Sequence, residues 1–446
     1  MFKTITTKAV LRSALLLSLA ASASACDRGE ERISDLLIDC QDAECVAELR
    51  SGSSRPEIFV GGTHTCALYP SGDVRCWGYA NMGQLGYGNT EQIGDDEDPS
   101  SVGFVDVGGT VSQLALGVYH TCALLDTGAV RCWGSGSYGE LGYGNTQRVG
   151  DDETPASVGD VPVGGTAVQI TAGTYSTCAL LDTGNVRCWG SHGSGRLGYG
   201  ISTNGNVGDG EPAGAFGDVP VGGAVVKITS GDRHTCALLD TGAVRCWGYN
   251  GYGQLGYGHK QHIGDNETPA SQGDIDVGGT VVDIGAGTYH TCALLDTGDV
   301  RCWGYNHFGY LGYNHNTQIG DDELPTADGP VQLIGDAEQL SVGRYHTCAL
   351  VDGDAQCWGR GVYGILGYGN TKNYGSIWDA LTTQTVHAGG RIEAIHTSGS
   401  SMHSCVTLEG GDVRCWGPNW YGQLGYGHKV GIGDNELPSS QLPVAL

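Results

Sequence analysis

A repeat of about 56 residues restricts the fold of this chain more than any other feature of its sequence. Each copy carries two cysteines that flank a short turn and are followed by Trp-Gly, as in TCALLDTGAVRCWG at residues 121–134. Self-similarity at a fixed period predicts an array of small units, each of which buries its apolar face against the next. The first cysteines of the seven copies are Cys66, Cys122, Cys178, Cys236, Cys292, Cys348 and Cys405.

The residues inside each copy predict strands and turns rather than helices. Apolar positions alternate, glycines interrupt them, and no long stretch has the spacing of a helix face. Several short strands in each copy of this length are typical of a propeller blade. We therefore predict an all-β, seven-bladed β-propeller over residues 56–446, with about four antiparallel strands per blade. The C-terminal stretch SSQLPVAL is predicted to close the ring by completing the blade that PEIFVGG begins.

Three short motifs in each copy resemble the repeats of the regulator of chromosome condensation family. They are G-x-x-H-T-C-A-L, G-x-V-x-C-W-G and G-Q-L-G-Y-G, and they recur over nearly the whole chain after its N-terminal segment. The resemblance implies a seven-bladed propeller, here in a bacterial exported or lipoprotein member. Its eukaryotic namesake exchanges guanine nucleotide on the GTPase Ran and binds chromatin, and a similar secreted bacterial propeller inhibits a β-lactamase through one face. The fold hosts unrelated roles, so the resemblance does not identify a partner.

The two cysteines of each copy are predicted to form a disulfide across a β-hairpin. If DTG is a three-residue loop, Cys122 lies directly opposite Cys132. In the sixth copy the loop shortens to Asp352-Gly353, and Cys348 still faces Cys357. Zinc is the competing interpretation, but it favours closer cysteines and two converging pairs. The predicted disulfides are Cys40–Cys45, Cys66–Cys76, Cys122–Cys132, Cys178–Cys188, Cys236–Cys246, Cys292–Cys302, Cys348–Cys357 and Cys405–Cys415.

The N-terminal segment is predicted to direct export. Residues 1–25 combine a basic start with the apolar run SALLLSLAA, which is too short to span a membrane and indicates a signal peptide. Cys26 is the one cysteine outside the eight pairs, and Ala25-Cys26 resembles a bacterial lipobox, so lipidation of Cys26 is predicted. Residues 26–55 would then be an acidic tether that carries the Cys40–Cys45 loop to the cell envelope. Cleavage after Ala23-Ser24-Ala25 with free secretion is the alternative.

The acidity of the chain argues against nucleic acid as a partner. The formal net charge is −26, and no basic patch interrupts it. Such a polyanion repels phosphate backbones. We predict a monomer that touches a membrane only through the lipid on Cys26.

Two residues recur in nearly every copy and are predicted to be structural. The tryptophan after the second cysteine should pack blade against blade. The histidine before the first cysteine becomes Ser176 in the third copy, and serine replaces a hydrogen-bonding group better than a metal ligand. The tryptophans are Trp77, Trp133, Trp189, Trp247, Trp303, Trp358 and Trp416. The histidines are His64, His120, His234, His290, His346 and His403.

An acidic triplet of the form Asp-x-Glu, Asp95-Asp96-Glu97 in the first copy, recurs in every copy except the sixth, and its middle residue is Asp, Asn or Gly. The sixth copy also has Gln356 where the others have an arginine such as Arg131. This joint loss predicts that the arginines pair with the triplets. Calcium bound by the clustered carboxylates is an alternative that stays open, although the spacing differs from that of a dedicated calcium loop. We predict no resident metal and no cofactor.

The copies diverge most in the loop after Cys-Trp-Gly, and a binding site is predicted there. The residue before the second glycine of this loop is aromatic in most copies, and equivalent points of seven blades ring one face. Aromatic side chains on a rigid frame are typical of protein-binding surfaces, while packing against neighbouring loops is an equal alternative. The predicted binding face consists of Met82, Tyr138, Tyr252, Phe308, Tyr363, Tyr421, Trp378 and Trp420.

These features predict an exported, lipid-anchored module that binds a protein or a glycan at the cell envelope. Catalysis needs an asymmetric constellation of groups, whereas nearly every Asp, Glu and His of this chain has copies in other units. No catalytic residue is therefore predicted, and the chain is predicted not to be an enzyme. A structural component of the envelope is the alternative, and a glycan-binding protein or a hydrolase is less favoured.

Overall fold

The computed structural model describes residues 55–201 and 205–446, which form seven three-stranded antiparallel sheets with their strands in chain order. We call these sheets blades 1 to 7. The strands are β1 (Glu57–Val60), β2 (His64–Leu68) and β3 (Val74–Gly78) in blade 1; β4 (Val111–Leu116), β5 (His120–Leu125) and β6 (Val130–Gly134) in blade 2; β7 (Ala167–Ala172), β8 (Ser176–Leu181) and β9 (Val186–Gly190) in blade 3; β10 (Val225–Ser230), β11 (His234–Leu239) and β12 (Val244–Gly248) in blade 4; β13 (Val281–Ala286), β14 (His290–Leu295) and β15 (Val300–Gly304) in blade 5; β16 (Gln339–Val342), β17 (His346–Val351) and β18 (Asp354–Gly359) in blade 6; and β19 (Ile392–His396), β20 (Ser404–Leu408) and β21 (Val413–Trp416) in blade 7.

Helical structure in the described residues is limited to short turns within the long irregular segments outside the sheets. They are the α-helices α1 (Pro155–Val158) and α2 (Pro269–Gln272) and the 3₁₀ turns Pro99–Ser101, Gly193–Gly195, Val362–Gly364 and Pro438–Ser440. Over residues 55–201 and 205–446, no helix has the length and apolar character needed to cross a lipid bilayer.

The first strands of the seven blades surround a common axis. Each first strand contacts the first strand of the next blade, in the order β1, β4, β7, β10, β13, β16 and β19. The last of them, β19, contacts β1. The blades therefore form the predicted closed seven-bladed propeller. Because the strands are antiparallel, the loops after the first and third strands share one end of the ring, which we call the loop face. The hairpin turns lie at the opposite face.

Each blade has three strands rather than about four because a tyrosine occupies the outer edge of the third strand. In blade 2 the Cys132 amide donates to the Tyr143 hydroxyl, which in turn donates to the Cys132 carbonyl, each at 3.1 Å. The segment that follows along this edge makes one backbone bond to β6, from Val161 N to Val130 O at 2.8 Å, and forms no fourth strand. A side chain thus protects an edge that would otherwise be open to pairing. The equivalent tyrosines are Tyr87, Tyr143, Tyr199, Tyr257, Tyr313, Tyr368 and Tyr426.

Every blade contains its predicted disulfide. Cys122 lies opposite Cys132 in the strand register, with their Cα atoms 4.1 Å apart. The Cys132 amide and carbonyl face Tyr143, so the pair is of the non-hydrogen-bonded kind, in which opposed residues approach most closely. The seven disulfides are Cys66–Cys76, Cys122–Cys132, Cys178–Cys188, Cys236–Cys246, Cys292–Cys302, Cys348–Cys357 and Cys405–Cys415. Residues 1–25, Cys26 and Cys40–Cys45 lie outside the described residues.

The hairpin turns have the predicted lengths, and their glycines are left-handed. Gly128, the last residue of the three-residue turn in blade 2, has φ +79°. In the shortened turn of blade 6, both Asp352 (φ +48°) and Gly353 (φ +79°) are left-handed, as a two-residue type I′ turn requires.

The C-terminal tail belongs to blade 7, which corrects the prediction that it completes blade 1. Val444 N donates to Val413 O at 2.9 Å, as the equivalent residue does in every other blade. The segment after each third strand therefore stays with its own blade, and the tail is the copy of that segment in blade 7. The tail still contributes to ring closure, because Ser100 N donates to Ala445 O at 3.1 Å.

The recurring tryptophans pack between blades, as predicted. All seven are 0% exposed. Trp133 of blade 2 donates from Nε1 to the Gln84 carbonyl of the preceding unit at 3.0 Å. Equivalent bonds are made by Trp77, Trp189, Trp247, Trp303 and Trp416.

The recurring histidines link neighbouring blades, also as predicted. His64 Nε2 lies 2.7 Å from Thr121 Oγ1, and the Thr121 hydroxyl donates to Gln84 O at 2.9 Å. Because the hydroxyl proton is used in that bond, Nε2 of His64 is the donor. Burial lowers the pKa to about 3 for His64, His290 and His403 and to about 4 for His120, His234 and His346. These histidines are therefore neutral structural links rather than a metal ring.

Candidate binding face

Two loops from each blade lie side by side on the loop face. One precedes the recurring histidine and the other follows Cys-Trp-Gly. Backbone bonds join them, such as Tyr79 N to Thr63 O at 3.0 Å in blade 1 and Ser135 N to Tyr119 O at 2.9 Å in blade 2. The β-hairpin beneath positions both loops, so the side chains of this face rest on rigid elements.

Tyrosines form the largest ring cluster of this face at blades 4 to 6. The Tyr252 ring lies 5.0 Å from Tyr289 and 4.8 Å from Tyr305, measured between centroids. Tyr310 continues the cluster, 5.6 Å from Tyr305 and 6.2 Å from Tyr345. Contacts of this kind stabilise each ring by about 0.5–1.5 kcal/mol beyond its burial.

Smaller clusters continue the tyrosine array around the ring. Tyr421 of blade 7 lies 4.6 Å from Tyr79 of blade 1, which lies 6.4 Å from Tyr119 of blade 2. Tyr138 packs 4.8 Å from Tyr175 of blade 3. The aromatic rings therefore recur around most of the loop face.

The residues of the predicted binding face divide into two groups. Met82, Tyr252, Phe308 and Tyr421 are half-buried, so they partly pack against neighbouring loops. The other group presents large exposed surfaces. Its members are Tyr138 at 43%, Tyr363 at 46%, Trp378 at 59% and Trp420 at 48% exposed.

Sequence reasoning missed a second variable position on this face, the residue immediately before the recurring histidine. It supplies Tyr119, Tyr175, Tyr289 and Tyr345, all members of the clusters above. The signal was present in the repeat, because this position varies among copies whose flanking residues hardly change. The residues there are Thr63, Tyr119, Tyr175, Arg233, Tyr289, Tyr345 and Met402.

Arginines lie among the rings near blades 4 to 6. The Arg360 guanidinium lies 5.2 Å from the Phe308 centroid and 5.7 Å from that of Tyr345. Arg344 reaches from blade 6 to within 3.8 Å of Asp232 in blade 4. Cation–π contacts at exposed sites contribute about 0.5–1 kcal/mol, and they fix the orientation of these rings.

The axis of the ring is filled by the loop at residues 397–403 of blade 7. Ser400 Oγ donates to Leu116 O of blade 2 at 3.3 Å, and Ser401 O accepts from Arg344 N of blade 6 at 2.8 Å. A side chain on Gly399 would collide with the Ala286 carbonyl of blade 5. The loop therefore reaches across the axis. Because its Ser400 and Ser401 are buried, they are not accessible to a partner, and a binding site must lie on the outer surface of the loop face.

The arginines before the second cysteines do not pair with the acidic triplets, which corrects the prediction. Arg131 Nε lies 2.9 Å from Asp160 Oδ1, and its Nη1 donates to Val107 O of the preceding unit at 2.5 Å. Arg187 and Arg245 make equivalent bonds to Asp218 and Asp274.

Glutamine preserves the interblade role of this arginine in blade 6. Gln356 Nε2 donates to Thr382 O at 2.5 Å, while its Oε1 accepts from Ile334 N at 3.1 Å. The sixth copy therefore lacks the arginine and the acidic triplet for independent reasons, not because the two groups are partners.

The acidic triplets lie against the loops that carry the predicted binding residues. A side chain on Gly83, next to Met82, would meet the Asp151 amide. In three triplets the carboxylates lie within 4.8 Å of one another, at residues 95–97, 151–153 and 321–323. Burial and the neighbouring aspartates raise the pKa of Glu97, Glu153 and Glu323 to about 7. The triplets make the rim of the loop face acidic.

Comparisons with known proteins agree with this architecture. The family model described as the RCC1-like domain matches residues 35–373. The ultraviolet-B receptor UVR8 of Arabidopsis thaliana is 29% identical over 378 residues, which cover 84% of this chain and 79% of the receptor.

Two solved structures share the fold. Human WBSCR16 aligns with a TM-score of 0.63 and 19% identity, covering 84% of this chain and 94% of that one. Prp20p of Saccharomyces cerevisiae, described with its binding properties to Gsp1p and histones, aligns with a TM-score of 0.56 and 23% identity, covering 77% of this chain and 80% of that one.

Proposed function

Since the chain belongs to the RCC1-like domain family, we propose that it is a non-catalytic module that binds a protein partner through its loop face. The observation that carries this proposal is the array of aromatic rings on rigid loops, with exposed members such as Tyr138 and Tyr363. Aromatic residues and arginine are the side chains most enriched at the energetic centres of protein interfaces.

Known relatives support a binding role. Prp20p, the yeast RCC1, is described by its binding to Gsp1p and histones, and it has also been solved bound to Kap60. The partner of the present chain differs in kind, because its formal charge of −26 disfavours chromatin. We propose an envelope protein as partner and a monomeric propeller.

The histidines support a non-catalytic role. His64 and its five equivalents are at most 1% exposed and are engaged through Nε2 in links between blades. Lowered pKa values keep them neutral, and burial keeps them from any substrate.

We also propose that the protein works outside the cytosol, anchored by a lipid on Cys26. Seven buried disulfides support an oxidising compartment, where such bonds form and persist. The basic and apolar pattern of residues 1–25 supports export. Metabolic labelling with an alkyne fatty acid tests the anchor: the label is expected on the wild-type chain and absent from Cys26→Ala. Labelling of both chains, or of neither, would remove the anchor from the proposal.

The binding proposal is tested by comparing partners of matched variants. The full chain and a Tyr252→Ala/Phe308→Ala double variant are used to capture proteins from an envelope extract of the producing organism. Captured proteins are then purified, and their dissociation constants are measured directly. We expect the double variant to bind at least tenfold more weakly.

Phe104→Ala is the control for this comparison. Phe104 is 46% exposed and packs 5.1 Å from Tyr69 beside a hairpin turn, on the opposite face. It should leave the dissociation constant unchanged. Equal binding by wild type and the double variant would contradict the loop face as the site and would favour the structural or glycan-binding alternatives.

A further inference from the structure

The acidic rim of the loop face is interrupted at one place, in the sixth unit. Gly359 N donates to Tyr374 O at 2.9 Å, as Gly78 N does to Ile93 O at 2.8 Å in the first unit. This equivalence aligns Ser376-Ile377-Trp378 with Asp95-Asp96-Glu97. A tryptophan therefore stands where the other six copies carry a glutamate, and an isoleucine stands where they carry Asp, Asn or Gly.

These two side chains are among the most exposed apolar groups of the described residues. Ile377 is 62% and Trp378 is 59% exposed. The chain has nine tryptophans, of which the seven between blades are 0% exposed. Packing within the blades does not account for Trp378 or for Trp420, which is 48% exposed.

Neighbouring loops extend this apolar surface on both sides. Trp378 lies 6.1 Å from His307, whose ring is 4.7 Å from Phe308 in the unit 5 loop. In the loops after Cys-Trp-Gly of blades 6 and 7, Tyr363 and Trp420 form an edge-to-face pair with their centroids 5.0 Å apart. We call these residues the apolar patch: His307, Phe308, Tyr363, Ile377, Trp378 and Trp420.

Arg360 connects the two halves of the apolar patch. Its guanidinium lies 5.2 Å from the Phe308 centroid, and Arg360 precedes Tyr363 by three residues in the loop after Cys357-Trp358-Gly359. Tyr363 has φ +58°, a left-handed conformation that is uncommon for a bulky residue. The equivalent Ser194 of blade 3 has φ +61°, and in blade 6 this loop conformation carries an exposed ring beside Trp420.

Acidic groups flank the apolar patch. A side chain on Gly364, next to Tyr363, would collide with the Asp434 amide of the unit 7 triplet. On the other side, the unit 5 triplet at residues 321–323 lies against Gly253. Two nearby lysines are paired, Lys372 with Asp379 at 3.1 Å and Lys260 with Asp321 at 2.7 Å, and Arg360 lies over the Phe308 and Tyr345 rings. The other carboxylates of the two triplets keep the edges of the apolar patch acidic. An occupant must therefore combine an apolar centre with a positive rim.

We propose that the apolar patch is the main contact of the loop face, and that its partner is a protein surface with a protruding apolar side chain ringed by lysine or arginine. This inference rests on the proposed binding function and narrows it to units 5 to 7. A second copy of this chain does not fit, because two surfaces with acidic rims repel each other.

A phage-displayed library of disulfide-cyclised peptides, selected on the full chain, tests this inference. We expect selected peptides to carry a Trp, Phe or Leu flanked by Lys or Arg. The dissociation constant of a synthesised peptide should rise at least tenfold in Trp378→Ala/Trp420→Ala. It should also rise with salt, because the rim contacts are electrostatic.

Tryptophan fluorescence gives a second readout of the same site. Since the other seven tryptophans are buried, acrylamide quenching of the folded chain reports Trp378 and Trp420. Bound peptide should protect them from quenching. Circular dichroism and an unchanged denaturant midpoint show that the double variant is folded.

Control variants separate the possible failures. Peptides that lose binding in Tyr138→Ala or Tyr252→Ala, but not in the double tryptophan variant, would overturn the apolar patch and leave the loop face as the binding site. Peptides whose binding is weakened only by Phe104→Ala would overturn both the apolar patch and the loop face as the binding site. Selected peptides with acidic flanks, or a concentration-dependent dimer lost in the double variant, would overturn the proposed partner chemistry.

Discussion

Nε2 of His403 in blade 7 lies 2.7 Å from Oγ1 of Thr65 in blade 1. This contact joins the last blade to the first in the same way that His290 joins blade 5 to blade 6, where the distance to Thr347 is 3.0 Å. The ring is thus closed by the same hydrogen-bonded link that operates inside it, without exchange of a strand between the first and last blades.

The equivalence of these links predicts equal costs for their removal. His403→Ala and His290→Ala should each lower the free energy of unfolding by about 1–3 kcal/mol, because each leaves a buried threonine hydroxyl without its donor. Guanidinium denaturation followed by tryptophan fluorescence measures both. A much larger loss for His403→Ala would show that closure depends on this link more than the internal joints do.

Acid should destabilise the propeller through these histidines. Their pKa values of about 3–4 in the folded chain lie below the ordinary value of 6.5. The unfolded chain therefore binds protons that the folded chain does not, so this stability is complete above pH 6.5 and is lost as the pH falls toward 4. Each histidine contributes about 1.4 kcal/mol per pH unit within that window.

Denaturant midpoints at pH 7.5, 5.5 and 4.5 measure this loss. His234→Ser, which copies the natural Ser176, should reduce the proton uptake on unfolding by about one. The raised pKa of Glu97, Glu153 and Glu323 acts in the opposite direction, but these groups are partly solvated and fewer. A midpoint that does not change between pH 7.5 and 4.5 would contradict the histidine assignment.

Removal of one disulfide should weaken the propeller measurably. Cys292→Ser/Cys302→Ser should lower the free energy of unfolding by about 2–3 kcal/mol, since a short loop is no longer closed in the unfolded chain. The matched pair Cys348→Ser/Cys357→Ser tests whether the shorter turn of blade 6 matters, and we expect a similar loss. Thiol titration of the denatured, unreduced protein should find none of the seven pairs free.

Glu140 offers a test of buried charge on the loop face. It is 0% exposed and accepts from Tyr138 N at 2.6 Å and from Ser135 Oγ at 2.9 Å, and burial raises its pKa. In blade 4 the uncharged Gln254 accepts the equivalent amide at 3.0 Å. Because the raised pKa makes the ionised form unfavourable in the folded chain, Glu140→Gln should be more stable than wild type above pH 4.5.

Melting temperatures at pH 5 and pH 8 measure this effect, and the advantage of the glutamine variant should grow with pH. The reverse substitution, Gln254→Glu, should lower stability most at pH 8. A constant difference across this range would mean that ionisation of Glu140 is not its cause.

The sequence predicted the hairpins and disulfides well because they depend on local spacing. Cys122 and Cys132 are ten residues apart, and the turn between them fixes which residues face each other. The third strand belongs to the same hairpin, so its bounds also depend on local spacing. The closed ring of seven blades was predicted from the seven copies of the repeat.

Interactions between units were harder to predict, because near-identical copies offer many equivalent partners. Arg131 could pair with several aspartates, and only the folded chain distinguishes Asp160 from the acidic triplets. The fourth strand was predicted wrongly because the Tyr143 hydroxyl, a side-chain group, satisfies backbone atoms of the third strand. The tail was assigned to blade 1 because sequence does not say to which neighbour a linking segment belongs.

The buried loop at residues 397–403 also determines how many repeats the chain tolerates. Its buried Ser400 donates to Leu116 O of blade 2 at 3.3 Å, so the loop is fitted to the axis of a ring of seven blades. A duplication of one unit would widen the axis and leave these serines facing a gap, while a deletion would force the loop into the surrounding strands. Gain or loss of whole copies, the usual route by which tandem arrays change length, is therefore opposed here by a single short segment.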